Sequence, residues 1–119
     1  MMSAHRIVVA DDDRNLRDVI EDLLTEAGYE VAAAGDGVEA LAAVDDEVPA
    51  LMLLDMRMPR MDGLTVLERL RQSGRTFPVV VITAQQEAGE RALARGAVRV
   101  LMKPVSLDVL LDAVQSAVA

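Results

Sequence analysis

The chain carries several groups able to do metal or phosphorus chemistry, each directly after an apolar run. Asp11 and Asp12 follow RIVVA, Asp55 follows ALMLL, Thr83 follows PVVVI and Lys103 follows VRVLM. Carboxylates brought together repel unless something positive sits among them. Oxygen ligands with no Cys or His beside them select a hard cation, and Mg²⁺ at an open octahedral site suits Asp11, Asp12 and Asp55. A carboxylate that ends a buried strand is held rigidly. Asp55 is thereby placed to attack phosphorus while a metal neutralises the developing charge. Thr83 could donate a hydrogen bond to one phosphoryl oxygen, and Lys103 could pair with another. The chemistry these residues point to is formation of an aspartyl phosphate.

That reading requires the residues to share one edge of a sheet. Short β-rich apolar runs at 6–10, 29–34, 50–54, 78–82 and 98–102 predict strands. Between the first two, Leu16, Val19, Ile20, Leu23, Leu24 and Ala27 recur at helical spacing and predict an apolar helix face that stops at Gly28. Glu87 to Arg95 predicts a second helix, ending at Gly96. Leu107, Leu110, Leu111, Val114 and Val118 predict a last one, with Ser106 at its start. Gly37 to Asp46 and Leu64 to Arg71 give weaker helical patterns. The order βαβαβαβαβα calls for an α/β fold, a parallel sheet with helices on both faces. Ligands of such sheets bind outside the carboxyl ends of the strands, where the polar residues fall. If the first and third strands are neighbours, about 4.8 Å apart, the three carboxylates come within reach of one ion.

The 119 residues suit one domain, 1–119, with one main site. Aromatics make up only 2% of a chain that is 52% apolar, so the core must be aliphatic. A net charge of −8 repels phosphate backbones and argues against direct nucleic-acid binding. Without cysteine, disulfides, thiolate metal sites and cysteine nucleophiles are excluded. The start, MMSAHR, lacks the apolar stretch of a signal peptide, and no run is long enough to span a membrane. A cytoplasmic protein is the expectation.

Other polar residues have plainer readings. Asp13 suits the positive end of the first helix, and Asp62 turns the chain at Gly63. Thr83 taken alone is an ordinary β-branched strand residue. Met52, Met56, Met58, Met61 and Met102 are expected to fill gaps in the core. His5, alone near the terminus, is given no role.

Taken together, the residues closely resemble the receiver domain of two-component response regulators. Asp11 and Asp12 match the acidic pair, DMRMPRMDG the phosphoacceptor motif with Asp55, Thr83 and Ala84 the switch hydroxyl motif, and GAVRVLMKP the last segment with Lys103. The resemblance covers essentially the whole chain. It implies a flavodoxin-like (βα)5 doubly wound fold with strand order 2-1-3-4-5, and Mg²⁺ held by Asp12, Asp55 and the backbone carbonyl of Arg57. It further implies phosphotransfer from a sensor histidine kinase or phosphotransfer protein, an effector downstream, and a cis Lys103–Pro104 peptide bond. Such a domain is not an enzyme in the ordinary sense, since it catalyses only its own phosphorylation and dephosphorylation. A weak homodimer through the fourth and fifth helices is also open to it.

The sequence departs from the family pattern in three places. Val100 stands where an aromatic is usual, and Val105 where one often follows the proline. The 20 positions from Thr83 to Lys103 are about two fewer than the pattern expects, which makes the helix before Gly96 short or displaced, and Gly89 weakens it further. All three fall where the family commonly signals. Two other functions fit parts of the pattern. A Mg²⁺-dependent phosphohydrolase also uses an aspartate at a strand end, but it needs an acid and base two residues on, where this chain has Arg57. A receiver-like adaptor that works without phosphorylation would be consistent with Val100. Arg57 and Gln85 flank the site where the family tunes phosphoryl lifetime.

Overall fold

The computed structural model describes residues 5–118. Five strands and five helices alternate. They are β1 (Arg6–Ala10), α1 (Arg14–Glu26), β2 (Glu30–Ala34), α2 (Gly37–Asp46), β3 (Leu51–Asp55), α3 (Gly63–Ser73), β4 (Val79–Thr83), α4 (Gln86–Ala94), β5 (Arg99–Met102) and α5 (Leu107–Val118). The strands form one parallel sheet in the order β2-β1-β3-β4-β5. This is the flavodoxin-like α/β arrangement that the resemblance implies, and the Lys103–Pro104 bond is cis.

Alternation along each strand sends side chains to two cores. Ile7, Val9, Leu51, Leu53, Val80 and Ile82 pack on one face against Ile20 and Leu24 of α1 and Leu110, Ala113 and Val114 of α5. Val8, Ala10, Met52, Leu54 and Val81 pack on the other against Ala40 and Val44 of α2, Val66, Leu67 and Leu70 of α3, and Ala92 of α4. All five residues of β3 and of β4 are buried, as near-continuous apolar runs require when both faces are covered.

Three helices start on aspartates. Asp13, Asp36 and Asp62 accept hydrogen bonds from the amides of Leu16, Glu39 and Thr65, satisfying donors that each first turn would leave unpaired. Gly28 and Gly96 follow α1 and α4 with φ of +96° and +101°, the left-handed conformation expected of them.

Several expectations need correction. β3 and β4 end one residue later than the apolar runs suggest, so Asp55 and Thr83 are the last strand residues rather than the first of a loop. Each side chain is thus fixed by ladder pairing. The buried face of α1 is narrower than its apolar spacing. Val19 and Ala27 are exposed, because Ile20 and Leu24 alone point straight at the sheet. In α5, Leu107 is exposed and Ala113 buried for the same reason. Met102 does not fill the core but is 46% exposed, since β5 is an edge strand with a single neighbour.

Gly89 has a role beyond weakening α4. A Cβ there would lie 2.8 Å from Val100 Cγ1 and 3.6 Å from Thr83 Cγ2. The absent side chain lets this nine-residue helix rest close on β4 and β5. Val100 is half-buried beneath it, and Val105 is half-buried against the α1–α5 core.

Candidate functional site

The ends of β1, β3, β4 and β5 bring Asp11, Asp55, Thr83 and Lys103 to one edge of the sheet. Asp11 follows β1 directly and is 2% exposed. Its carbonyl accepts a 2.7 Å hydrogen bond from Arg17 of α1, and its Oδ1 accepts from the Asp13 amide at 2.9 Å. The other carboxylate oxygen, Oδ2, is buried with no hydrogen-bond partner. It lies 3.3 Å from Lys103 Nζ, a charge contact without hydrogen-bond alignment. Asp12 is exposed beside it.

Asp55 ends the central strand. Its Oδ2 is 3.5 Å from the same Lys103 ammonium, and its Oδ1 faces the Arg57 amide at 3.4 Å. One oxygen each of Asp11, Asp12 and Asp55 can be chosen so that all lie within 4.8 Å of one another. Asp11 and Asp55 therefore share one ammonium, and Asp12 adds a third carboxylate beside them. Burial, with Asp11 and Asp12 beside it, pushes the Asp55 carboxyl up to about 6 despite the pull of Lys103 and the Arg57 amide. Burial also opposes the charge on Lys103, but Asp11 and Asp55 outweigh it and hold the ammonium above its usual range. The cluster lacks positive charge. A buried acceptor with no hydrogen bond, an all-oxygen donor set and an excess of negative charge fit a hard divalent cation such as Mg²⁺.

Thr83 is fully buried at the end of β4, one position beyond Ile82, which pairs with Asp55. Its hydroxyl oxygen accepts from the Gln85 amide at 3.2 Å, and its carbonyl accepts from the Lys103 amide at 2.9 Å. The second bond ties the start of the β5–α5 connection to β4. Arg57 stands in the loop between β3 and α3, where an open recess of about 490 Å³ is lined by Asp12, Met56, Arg57, Met58, Pro59 and Asp62. Asp62 caps α3 and takes no part in the cluster, in keeping with its plainer reading.

One ion pair beside the site is not singled out by the sequence. Asp36, buried at the start of α2, accepts from the Glu39 amide through Oδ1 and from Arg60 Nε through Oδ2, at 2.9 and 2.7 Å. The Glu39 amide, and beyond it Arg60, hold the Asp36 carboxyl below its usual range against the opposing effect of burial. Asp36 followed by Glu39 three residues on is a capping pattern that could have marked Asp36. Nothing local marks Arg60 as its partner.

On the outer side of α4, Leu93 is 50% exposed next to Met102, and with Gln86, Gly89, Glu90 and Val100 they line a largely apolar groove. Among the described residues no helix is long and apolar enough to cross a membrane.

Residues 7–115 match the family model of the response regulator receiver domain. The response regulator MprA of Mycobacterium avium (strain 104) is 44% identical over 108 residues, which are 89% of this chain and 47% of that protein. The chain thus spans about half the length of the curated relatives it matches. Among solved structures, the receiver domain of Francisella response regulator 1452 superposes with a TM-score of 0.90 at 30% identity, covering 96% of each chain. A CheY-like receiver domain protein from Methanospirillum hungatei JF-1 superposes with a TM-score of 0.91 at 30% identity, covering 98% of this chain and 94% of its own.

Proposed function

The chain belongs to the response regulator receiver domain family, and from that premise we propose that it is a phosphorylation-controlled switch whose phosphoacceptor is Asp55. The supporting observation is the placement of Lys103 Nζ, 3.3 and 3.5 Å from two buried carboxylates that form, with Asp12, an oxygen-only cluster. The donor is a phosphohistidine on a sensor kinase or phosphotransfer protein. Its N–P bond breaks as an Asp55 oxygen bonds to phosphorus, and the imidazole leaves.

Asp12, Asp55 and the Arg57 carbonyl are the ligands we assign to Mg²⁺, with Asp11 beside them. Bound there, Mg²⁺ would supply positive charge to offset the negative charge on the phosphoryl oxygens. The protein does the rest. The pairing of β3 with β1 and β4 holds the Asp55 carboxylate still, so little orientation entropy remains to be lost. Lys103, already drawn to Asp55, pairs with a phosphoryl oxygen once that carboxylate has become an acyl phosphate. Thr83 turns its hydroxyl from accepting the Gln85 amide to donating to another phosphoryl oxygen. Because Lys103 N–H is bonded to the Thr83 carbonyl, movement of either is felt on both β4 and β5.

Receiver domains of response regulators act with histidine kinases and effector domains. For this chain we assign the effector to the groove of α4 and β5, and the setting to the cytoplasm. Its only catalysis is on itself, since Arg57 stands where a phosphohydrolase needs a proton-transferring acid. Intact-mass spectrometry after incubation with acetyl phosphate and Mg²⁺ tests the reading. One added phosphoryl group, dependent on Mg²⁺ and absent from Asp55→Asn, is expected. An equal gain in the variant would remove Asp55 from its role.

A further inference from the structure

Arg60 has a φ of +63°, in the left-handed region that residues with a Cβ rarely occupy. The Met61 amide reaches back to the Pro59 carbonyl at 2.7 Å, so residues 59–61 make a three-residue turn with positive φ at its centre. That form of the turn is rare and strained. Glycine would adopt it freely, whereas arginine needs something to hold it there.

What holds it is Asp36. Arg60 Nε and a terminal guanidinium nitrogen both lie 2.7 Å from Asp36 Oδ2, and Glu39 adds a looser charge contact at 3.7 Å. Asp36 is itself immobile, being buried and bonded through its other oxygen to the Glu39 amide. Charge-assisted hydrogen bonds to a buried carboxylate are strong enough to keep a strained turn in place. A second tie runs parallel, from the Gly37 amide to the Met61 carbonyl at 3.1 Å. At its far end, the loop is closed by the Gly63 amide on the Met56 carbonyl at 3.0 Å.

We propose that the Arg60–Asp36 pair is a positioning latch for the cation site. By holding the strained turn against α2, it fixes the loop that carries Arg57, so the Arg57 carbonyl is set beside Asp12 and Asp55 before a cation arrives. Arg60 is a positioning residue, since its guanidinium is engaged by Asp36 and Glu39 and not by the carboxylate cluster. The inference rests on the ligand set assigned above and names the residue that keeps that set in register. Groups that orient metal ligands affect affinity without touching the metal.

The test is calorimetric titration of Mg²⁺ into the parent chain, Arg60→Ala, Arg60→Lys and Arg60→Gly, with melting of each in EDTA. Arg60→Ala keeps a Cβ at the left-handed position but loses the guanidinium that holds it there, whereas Arg60→Gly adopts the turn without a latch. We expect the Mg²⁺ affinity of Arg60→Ala to fall roughly tenfold, Arg60→Lys to recover part of it, and Arg60→Gly to bind nearly as the parent does. Parent-like Mg²⁺ binding by Arg60→Ala, or a loss of stability alone, would overturn the latch and leave the proposed function standing. A parent chain that bound no Mg²⁺ would overturn both.

Discussion

Lys103 Nζ stands 3.5 Å from Asp55 Oδ2 although β4 lies between the strands that carry them. The contact is possible because both groups sit where the sheet ends, so the lysine can reach across the end of β4 instead of through it. It makes Lys103 the counter-charge of a site built on three other strand ends.

Acid–base titration without metal follows from the Asp55 carboxyl being pushed up to about 6. Its unfolded value is lower, so between about pH 4 and pH 6 the folded state holds the extra proton and stability falls as pH rises through that window. In EDTA near pH 7.5, Asp55→Asn is expected to be more stable than the parent by about 1–2 kcal/mol, after discounting for solvent screening. The gap should close near pH 4, where both side chains are uncharged. Urea unfolding of both proteins at the two pH values measures it, and equal stability near neutrality would show that burial does not disfavour the charge.

Replacing Lys103 separates charge from shape. Lys103→Met leaves three carboxylates with no ammonium against them, so Mg²⁺ should bind at least about threefold more tightly, with no lysine to compete. The variant should nevertheless gain no phosphoryl group from acetyl phosphate. Calorimetry and intact mass read the two effects. Weaker Mg²⁺ binding than in the parent would mean that Lys103 maintains the geometry of the cluster.

The seat of α4 predicts an unusual response to alanine. In an open helix position Gly→Ala stabilises by about 1 kcal/mol. At Gly89 the new Cβ would meet Val100 Cγ1 at 2.8 Å, and a β-branched side chain has little rotameric freedom to retreat. Gly89→Ala is expected to lower the melting midpoint by roughly 3–6 °C, and adding Val100→Ala should restore it. A rise in the midpoint of the single variant would reveal slack between helix and strand.

Gly37→Ala should be harsher. Its Cβ would strike the Met61 carbonyl oxygen and come within 2.8 Å of Val66 Cγ2. Backbone cannot rotate aside, so a loss of about 2–4 kcal/mol is expected in urea unfolding. A cost below about 1 kcal/mol would mean that the loop moves freely and would count against its being pinned.

How far the sequence carried the interpretation differs by element. The strands were legible because all five are short apolar runs, three of them, β1, β3 and β4, ended by polar residues, and their order followed from the resemblance. Asp11, Asp55 and Lys103 were found because the position after a strand is where such sheets place ligands, and the structure brings them together. Periodicity overstated burial at Val19 and Leu107, and residue type overstated it at Met102, since neither registers whether a neighbour is there to cover the side chain. Arg60 was invisible for another reason. Its meaning comes from a positive φ and from Asp36, 24 residues away, and neither leaves a local pattern.

β3 is flanked by β1 and β4 and buried along its whole length, whereas β5 has one neighbour and is exposed at both of its ends. A phosphoryl group carried by Asp55, as proposed, would rest on an anvil, and any displacement would be directed toward Thr83, Lys103 and the less covered outer edge. On the proposed function, that difference in burial would send the signal toward the outer edge, before any partner has bound.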